Sequence, residues 1–223
     1  MASWQSFEQG AEADLEDFLA SASPHQPMRV ILTGDEWGPG ACKILAALRP
    51  GMDLRMVSLR GAPIGDSAIA ILLNSPVLAT AHHLGIERCG LTDRGVEHLA
   101  QSPYVKGLRE LSLCNRGGIE TGPLNTIGDA GAIALAASPN LSQLERLDLW
   151  NTAVGDRGLE AIVGSPHLSR LSSLTAWETR LTREGAIRLR ALATAQWEQR
   201  KADTPGAALC WVHTDYDGRI ITY

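Results

Sequence analysis

A unit of 27 residues recurs along this chain, and that period constrains the fold more than any other feature. The run L-x-x-L-x-L marks it as Leu108, Leu111, Leu113, then Leu144, Leu147, Leu149, then Leu171 and Leu174 with Ala176 in the last place. Looser copies are Leu54, Val57, Leu59 and Ala81, Leu84, Ile86, with Val30 and Leu32 as a degenerate first copy. The last positions, 32, 59, 86, 113, 149 and 176, follow one another at 27, 27, 27, 36 and 27 residues. A Ser-Pro pair at 75, 102, 138 and 165 gives 27, 36 and 27 independently, so both rulers place nine extra residues in the fourth unit. Self-similarity of this kind belongs to arrays in which no unit buries its apolar face alone and neighbours stack into one core.

Within each unit the hydrophobic period changes. The last two apolar residues of L-x-x-L-x-L alternate, as a short half-buried strand requires. A turn follows, then Ile64-Gly65-Asp66, Leu91-Thr92-Asp93, Ile127-Gly128-Asp129 or Val154-Gly155-Asp156, whose Thr and Asp oxygens suit the exposed amides of a helix start. Helical spacing comes next, as in Leu159, Ile162 and Val163, until Ser-Pro ends it, because proline cannot continue a helix. Each unit reads as one strand and one helix. The expected fold is therefore α/β, with parallel strands lining a concave sheet and helices outside.

These residues resemble the leucine-rich repeats of the ribonuclease-inhibitor type, whose signature continues to an N/C/T place held here by Cys89, Thr152 and Thr179. The stretch Gly131 to Ala136 is similar to the helix of GALA-type bacterial members, some of which are host-directed effectors. The resemblance covers about residues 26–193 and implies a short horseshoe that binds protein. Inhibitors of enzymes, activators of small GTPases and ubiquitin-ligase receptors all share this repeat class.

Three parts are expected. Residues 1–25 form an N-terminal capping helix, with Trp4, Phe7, Ala11, Leu15 and Phe18 at helical spacing over 3–20 and carboxylates opposite. Residues 26–193 hold six repeats with the nine-residue insertion near 115–125. Residues 194–223 form a C-terminal cap, in which 208–213 and 219–223 are two strands joined by Asp215-Tyr216-Asp217-Gly218, closing the open sheet edge. No Glu follows that Asp-x-Asp-Gly at calcium-loop spacing, so a hairpin turn is the reading.

Composition narrows the partners. With 25 acidic and 20 basic residues the formal charge is −5, the wrong sign for gripping a phosphate backbone, so no nucleic acid is expected. No apolar run approaches the roughly 18 residues of a membrane span, and five carboxylates precede the first basic residue, Arg29, so neither a membrane role nor a signal peptide is expected. Four scattered cysteines without a CxxC pair suit free thiols in a reducing cytoplasm. A monomer without cofactor or metal is the expectation.

Function is sought on the concave face, where three columns of side chains lie between the buried leucines. They are Arg29, Met56, His83, Glu110, Arg146, Ser173; then Ile31, Ser58, Gly85, Ser112, Asp148, Thr175; then Thr33, Arg60, Glu87, Cys114, Trp150, Trp177. The second column is mostly small, so a partner is expected to reach the sheet floor. Trp150 and Trp177 should lie side by side about one strand spacing (roughly 5 Å) apart, and exposed tryptophans near arginine anchor protein interfaces. The candidate partner-binding set is Trp150, Trp177, Arg146, Asp148, Glu87, Arg60, Glu110, His83 and Arg116, with the inserted loop at the rim beside Cys114 and Trp150. Non-catalytic protein binding is the first function reading, regulation of a partner enzyme the second. A hydrolase would have to use Cys114 and His83, with nothing visible to activate the thiol.

Overall fold

The computed structural model describes residues 5–8, 10–49, 51–116, 121–203, 211–214 and 221–222. Strands and helices alternate along them: β1 Gln5–Phe7, α1 Glu12–Ser21, β2 Pro27–Thr33, α2 Pro39–Ala46, β3 Asp53–Arg60, α3 Gly65–Leu73, β4 His83–Glu87 and α4 Asp93–Gln101. The series continues with β5 Glu110–Ser112, α5 Asp129–Ala136, β6 Arg146–Asp148, α6 Asp156–Val163, β7 Ser173–Ala176, α7 Arg183–Asp203, β8 Trp211–Thr214 and β9 Ile221–Thr222. All nine strands form one sheet in chain order. Strands β1 to β8 pair in parallel and β9 is antiparallel to β8. The helices cover one face of the sheet, and the ruler leucines are sealed between the layers: Leu59, Leu84, Leu113, Leu149 and Leu174 have no exposed surface. This is a leucine-rich-repeat solenoid.

The N-terminal end departs from the sequence expectation. One helix over 3–20 is not formed; β1 pairs with Met28 to Val30 of β2, and α1 follows only after Gly10, whose φ of 134° breaks the chain direction. Three residues of alternating burial, with Phe7 buried and Ser6 exposed, satisfy the backbone groups of the β2 edge, which a helix could not do. Phe7 then meets Phe18 at 5.5 Å and Trp37 at 6.0 Å between ring centroids, closing the core at this end. At the other end β8 and β9 pair as the expected hairpin, and β8 extends the parallel sheet beyond β7. The turn residues 215–220 lie outside the described residues.

The helix-start Asp motif and the Ser-Pro pair prove to be hydrogen-bond ladders between repeats. Each motif Asp stands in the first turn of its own helix but accepts amides from the next one. Asp93 Oδ1 takes Gly128 N at 2.7 Å and Gly131 N at 2.9 Å, and Asp129 Oδ1 takes Gly155 N and Gly158 N at 2.7 and 3.0 Å. Asp66 and Asp156 hold Thr92 and Thr182 likewise, each through the amide and the hydroxyl. A Cβ at Gly95, Gly131, Gly158 or Gly185 would fall within 2.1 to 2.8 Å of the preceding repeat's carboxylate. Glycine is thus required wherever an Asp precedes it. Where Pro39 takes the Asp place, the matching residue is Ala68.

The buried serines tie the opposite helix ends. Ser75, Ser102, Ser138 and Ser165 each donate a hydroxyl hydrogen bond to a carbonyl near the C-terminus of the helix one repeat earlier, satisfying acceptors that a helix end leaves open. The sixth unit has Leu192 instead of Ser-Pro, and α7 runs on to 21 residues.

Candidate functional site

The 27-residue phase turns positions into neighbours. Register pairs run Arg29–Met56–His83–Glu110–Arg146–Ser173 and Ile31–Ser58–Gly85–Ser112–Asp148–Thr175. The third column continues past the shorter strands through backbone bonds, Gly61 N to Glu87 O, Arg88 N to Cys114 O, Asn115 N to Trp150 O and Asn151 N to Trp177 O. The three columns therefore exist as read.

Side chains on them form ion pairs. Arg60 Nε lies 2.9 Å from Glu87 Oε2, whose other oxygen accepts the Ser112 hydroxyl at 2.9 Å. His83 Nδ1 is 3.3 Å from Glu110 Oε2, and Arg146 pairs with the second oxygen of the same carboxylate. Arg116, from the inserted loop, reaches Asp148 Oδ2 at 2.9 Å and lays its guanidinium 4.6 Å from the Trp150 ring centroid, a cation–π contact. Asp148 Oδ1 also accepts the Trp150 amide at 3.0 Å. Eight of the nine candidates, Arg60, His83, Glu87, Glu110, Arg116, Arg146, Asp148 and Trp150, thus belong to three linked clusters; Trp177 is brought to them through its backbone, one strand beyond Trp150.

Three expectations need correcting. The small second column does not give open access to the floor everywhere: Ser58 and Gly85 are buried, and the His83 and Glu87 side chains lean over Gly85 from either side. Over the later repeats a cavity of about 290 Å³ opens above Ser112, Asp148, Ser173 and Thr175. Glu87 and Cys114 are buried, not solvent-facing. Trp150 is covered by Arg116; among the described residues the ring–ring contacts lie at the N-terminal end instead. The inserted loop leaves beside Trp150, and its described part turns back along the rim: Pro123 O accepts Gly90 N, Arg88 donates to Thr121 O and Gly122 O, and Gly122 lies against the backbone of Gly61.

Sequence reasoning missed Asn125. Counting 27 back from Thr152 reaches it, so it holds the fourth repeat's N/C/T place, displaced by the insertion. Its buried amide takes Cys89 N and Leu91 N and donates to Ile86 O and Leu113 O, while Asn115 bonds it from across the loop base. The loop is an excursion from a fixed pair of asparagines.

Burial sets the protonation states. It pushes the Cys114 thiol up, against the lowering contacts of Ser112 and the Arg116 amide, which keeps the sulfur protonated and weakly nucleophilic. Burial also lowers His83 below its ordinary 6.5, and the guanidiniums of Arg60 and Arg146 work in the same direction against Glu87. Asp148 is raised by burial, although Arg116 and the Trp150 amide oppose it. Among the described residues no group of three or more His, Cys, Asp and Glu side chains is arranged to hold a metal ion, and no helix is long and apolar enough to cross a membrane.

A family profile described as leucine-rich repeat matches residues 124–136 and 141–163, the units carrying α5 and α6. The match spans two of the repeat units and agrees with the leucine-rich-repeat solenoid that the sheet and helices form. No curated protein matches it. A chain of the crystal structure of the Rad7 and Elc1 complex in yeast is similar at 14% identity over 85% of this chain and 67% of that one, with a TM-score of 0.34.

Proposed function

We propose that this chain is a protein-interaction module that holds a partner protein on the later half of its concave face, over β5 to β7. One observation carries the reading. The open cavity of about 290 Å³ is bordered by Arg60, Arg116 and Arg146, and Arg116 lies over the half-buried Trp150, with the half-buried Trp177 on the next repeat. Aromatic and arginine side chains on a rigid, preordered floor are the usual energetic centre of an interface. In this reading the module is a non-catalytic, monomeric, cytoplasmic solenoid of the ribonuclease-inhibitor-like kind, needing no cofactor. Rim loops on such a scaffold contribute specificity, a role suited to the 115–125 insertion.

The test is affinity capture from native lysate with wild type and the Trp150→Ala/Trp177→Ala double variant, with thermal unfolding of both. Loss of a partner at unchanged melting temperature is expected; identical captures by the two proteins would sink the reading. A turnover assay on the captured partner then separates a plain scaffold from a regulator of enzyme activity.

A further inference from the structure

The ion pairs of the concave face are ordered in depth. Glu87 keeps 8% of its side-chain surface exposed and Arg60 42%; Asp148 keeps 21% and Arg116 48%; Glu110 keeps 36% and Arg146 57%. By count the three pairs are neutral. By arrangement they are a dipole layer with carboxylates sunk toward the sheet and guanidiniums outermost, all three bordering one cavity. A guanidinium carries five N–H donors in a planar fork, and one carboxylate contact leaves most of them available. Arg116 is further held in place by its contact with Trp150, so its free edge is preordered.

The formal charge of −5 disfavours anions at long range, so the local order of charge at this surface has to outweigh it. Part of the acidic excess lies away from the cavity: Asp93 and Asp129 cap helices, and Glu12, Asp14, Glu16 and Asp17 belong to α1 at the far N-terminal end. Their field is screened over a Debye length of about 8 to 10 Å. Three strand steps separate the Arg60 place from that of Trp150 beneath Arg116, a span of roughly 15 Å, which an extended chain crosses in about four or five residues.

We propose that the mouth of this cavity receives an extended acidic segment of the partner protein, whose Asp and Glu carboxylates pair with the outer edges of Arg60, Arg116 and Arg146. The inference rests on the concave face being the binding surface, but it requires no part of the tryptophan anchoring.

Fluorescence anisotropy of the full chain with labelled oligoglutamate, oligolysine, uncharged Ser-Gly and single-stranded oligonucleotide probes, across a salt series, tests it. Oligoglutamate should bind in preference to the other three, weakening as salt rises. The Arg60→Gln/Arg116→Gln/Arg146→Gln variant should lose roughly tenfold or more in affinity, since each charge-assisted contact is removed. Because that variant leaves carboxylates unpaired, a second one with Arg→Lys at the same three positions retains the charges and the fold; an intermediate affinity is expected from loss of the fork geometry. Absence of oligoglutamate binding at low salt, preference for oligolysine or the oligonucleotide, or undiminished binding by the folded variants overturns the proposal. If partner capture depends on the tryptophans while oligoglutamate fails to bind, only this inference falls. If oligoglutamate binding depends on the arginines while capture ignores the tryptophans, the surface stands and the anchors fall.

Discussion

Replacing Gly131 by alanine should destabilise the protein, although alanine is favoured over glycine inside a helix by about 1 kcal/mol. The added Cβ would lie 2.7 Å from Asp93 Oδ1, 3.1 Å from Ile127 Cγ2 and 3.3 Å from Val96 Cβ. The first contact is the severe one, and relieving it moves the carboxylate off Gly128 N and Gly131 N. A cap of this kind, on a partly exposed Asp, is worth about 1 to 2 kcal/mol. With the crowding cost added and the propensity gain subtracted, Gly131→Ala should cost about 1 to 2 kcal/mol. Asp93→Ala alone should cost a similar amount. In the Asp93→Ala background, however, the oxygen is gone, and Gly131→Ala becomes neutral or stabilising by up to about 1 kcal/mol. The coupling between the two sites is then about 2 kcal/mol. Urea unfolding of the four proteins, followed by far-ultraviolet circular dichroism with midpoint and slope both fitted, measures it. Additive losses, or a Gly131→Ala single variant more stable than wild type, would refute the ladder as the reason for these glycines.

Three further outcomes follow from the same geometry. Asn125→Ala should cost about 3 kcal/mol or more, because it strips partners from buried Cys89 N, Leu91 N, Ile86 O and Leu113 O; limited proteolysis should show new cleavage in 115–125, and an unaltered digest would contradict the anchor. The repeat joint at Pro39 and Ala68 lacks the Asp–Gly tie, so amide hydrogen exchange in the first turn of α3 should be faster than in those of α4, α5 and α6; equal protection would count against the ladder's role. His83 is held below 6.5, so on acidification the unfolded chain binds a proton there before the native state does, and stability falls as pH drops through that window. Asp148, raised in the native state, acts in the opposite sense above 3.8. His83→Asn should flatten the dependence of unfolding midpoint on pH just below 6.5, and an unchanged slope would show that His83 does not set it.

The resemblance of the repeat to a known class pointed to a concave binding face, but the corrections to that face came from particular side chains. Ser58 and Gly85 looked like an open floor because they are small; both are buried, Gly85 beneath the longer side chains of its own strand, His83 and Glu87. Asn125 was hidden because the nine inserted residues break the count exactly where the N/C/T place is due, although counting back from Thr152 would have found it. Phe7 fitted a helical stripe as well as a strand, and only the unpaired edge of β2 chose between them.

The sequence by itself determined everything that depends on phase. Once six leucine runs share one period, burying them in a common core forces equivalent residues into register, so the strand order, the columns and the place of the insertion all follow. Tertiary structure decided what depends on distance between side chains of different repeats: which aspartate caps which helix, which carboxylates sink beneath their arginines, and that Arg116 covers Trp150. A period fixes which residues are neighbours, while the reach of each side chain and its competition for buried partners decide which of them touch.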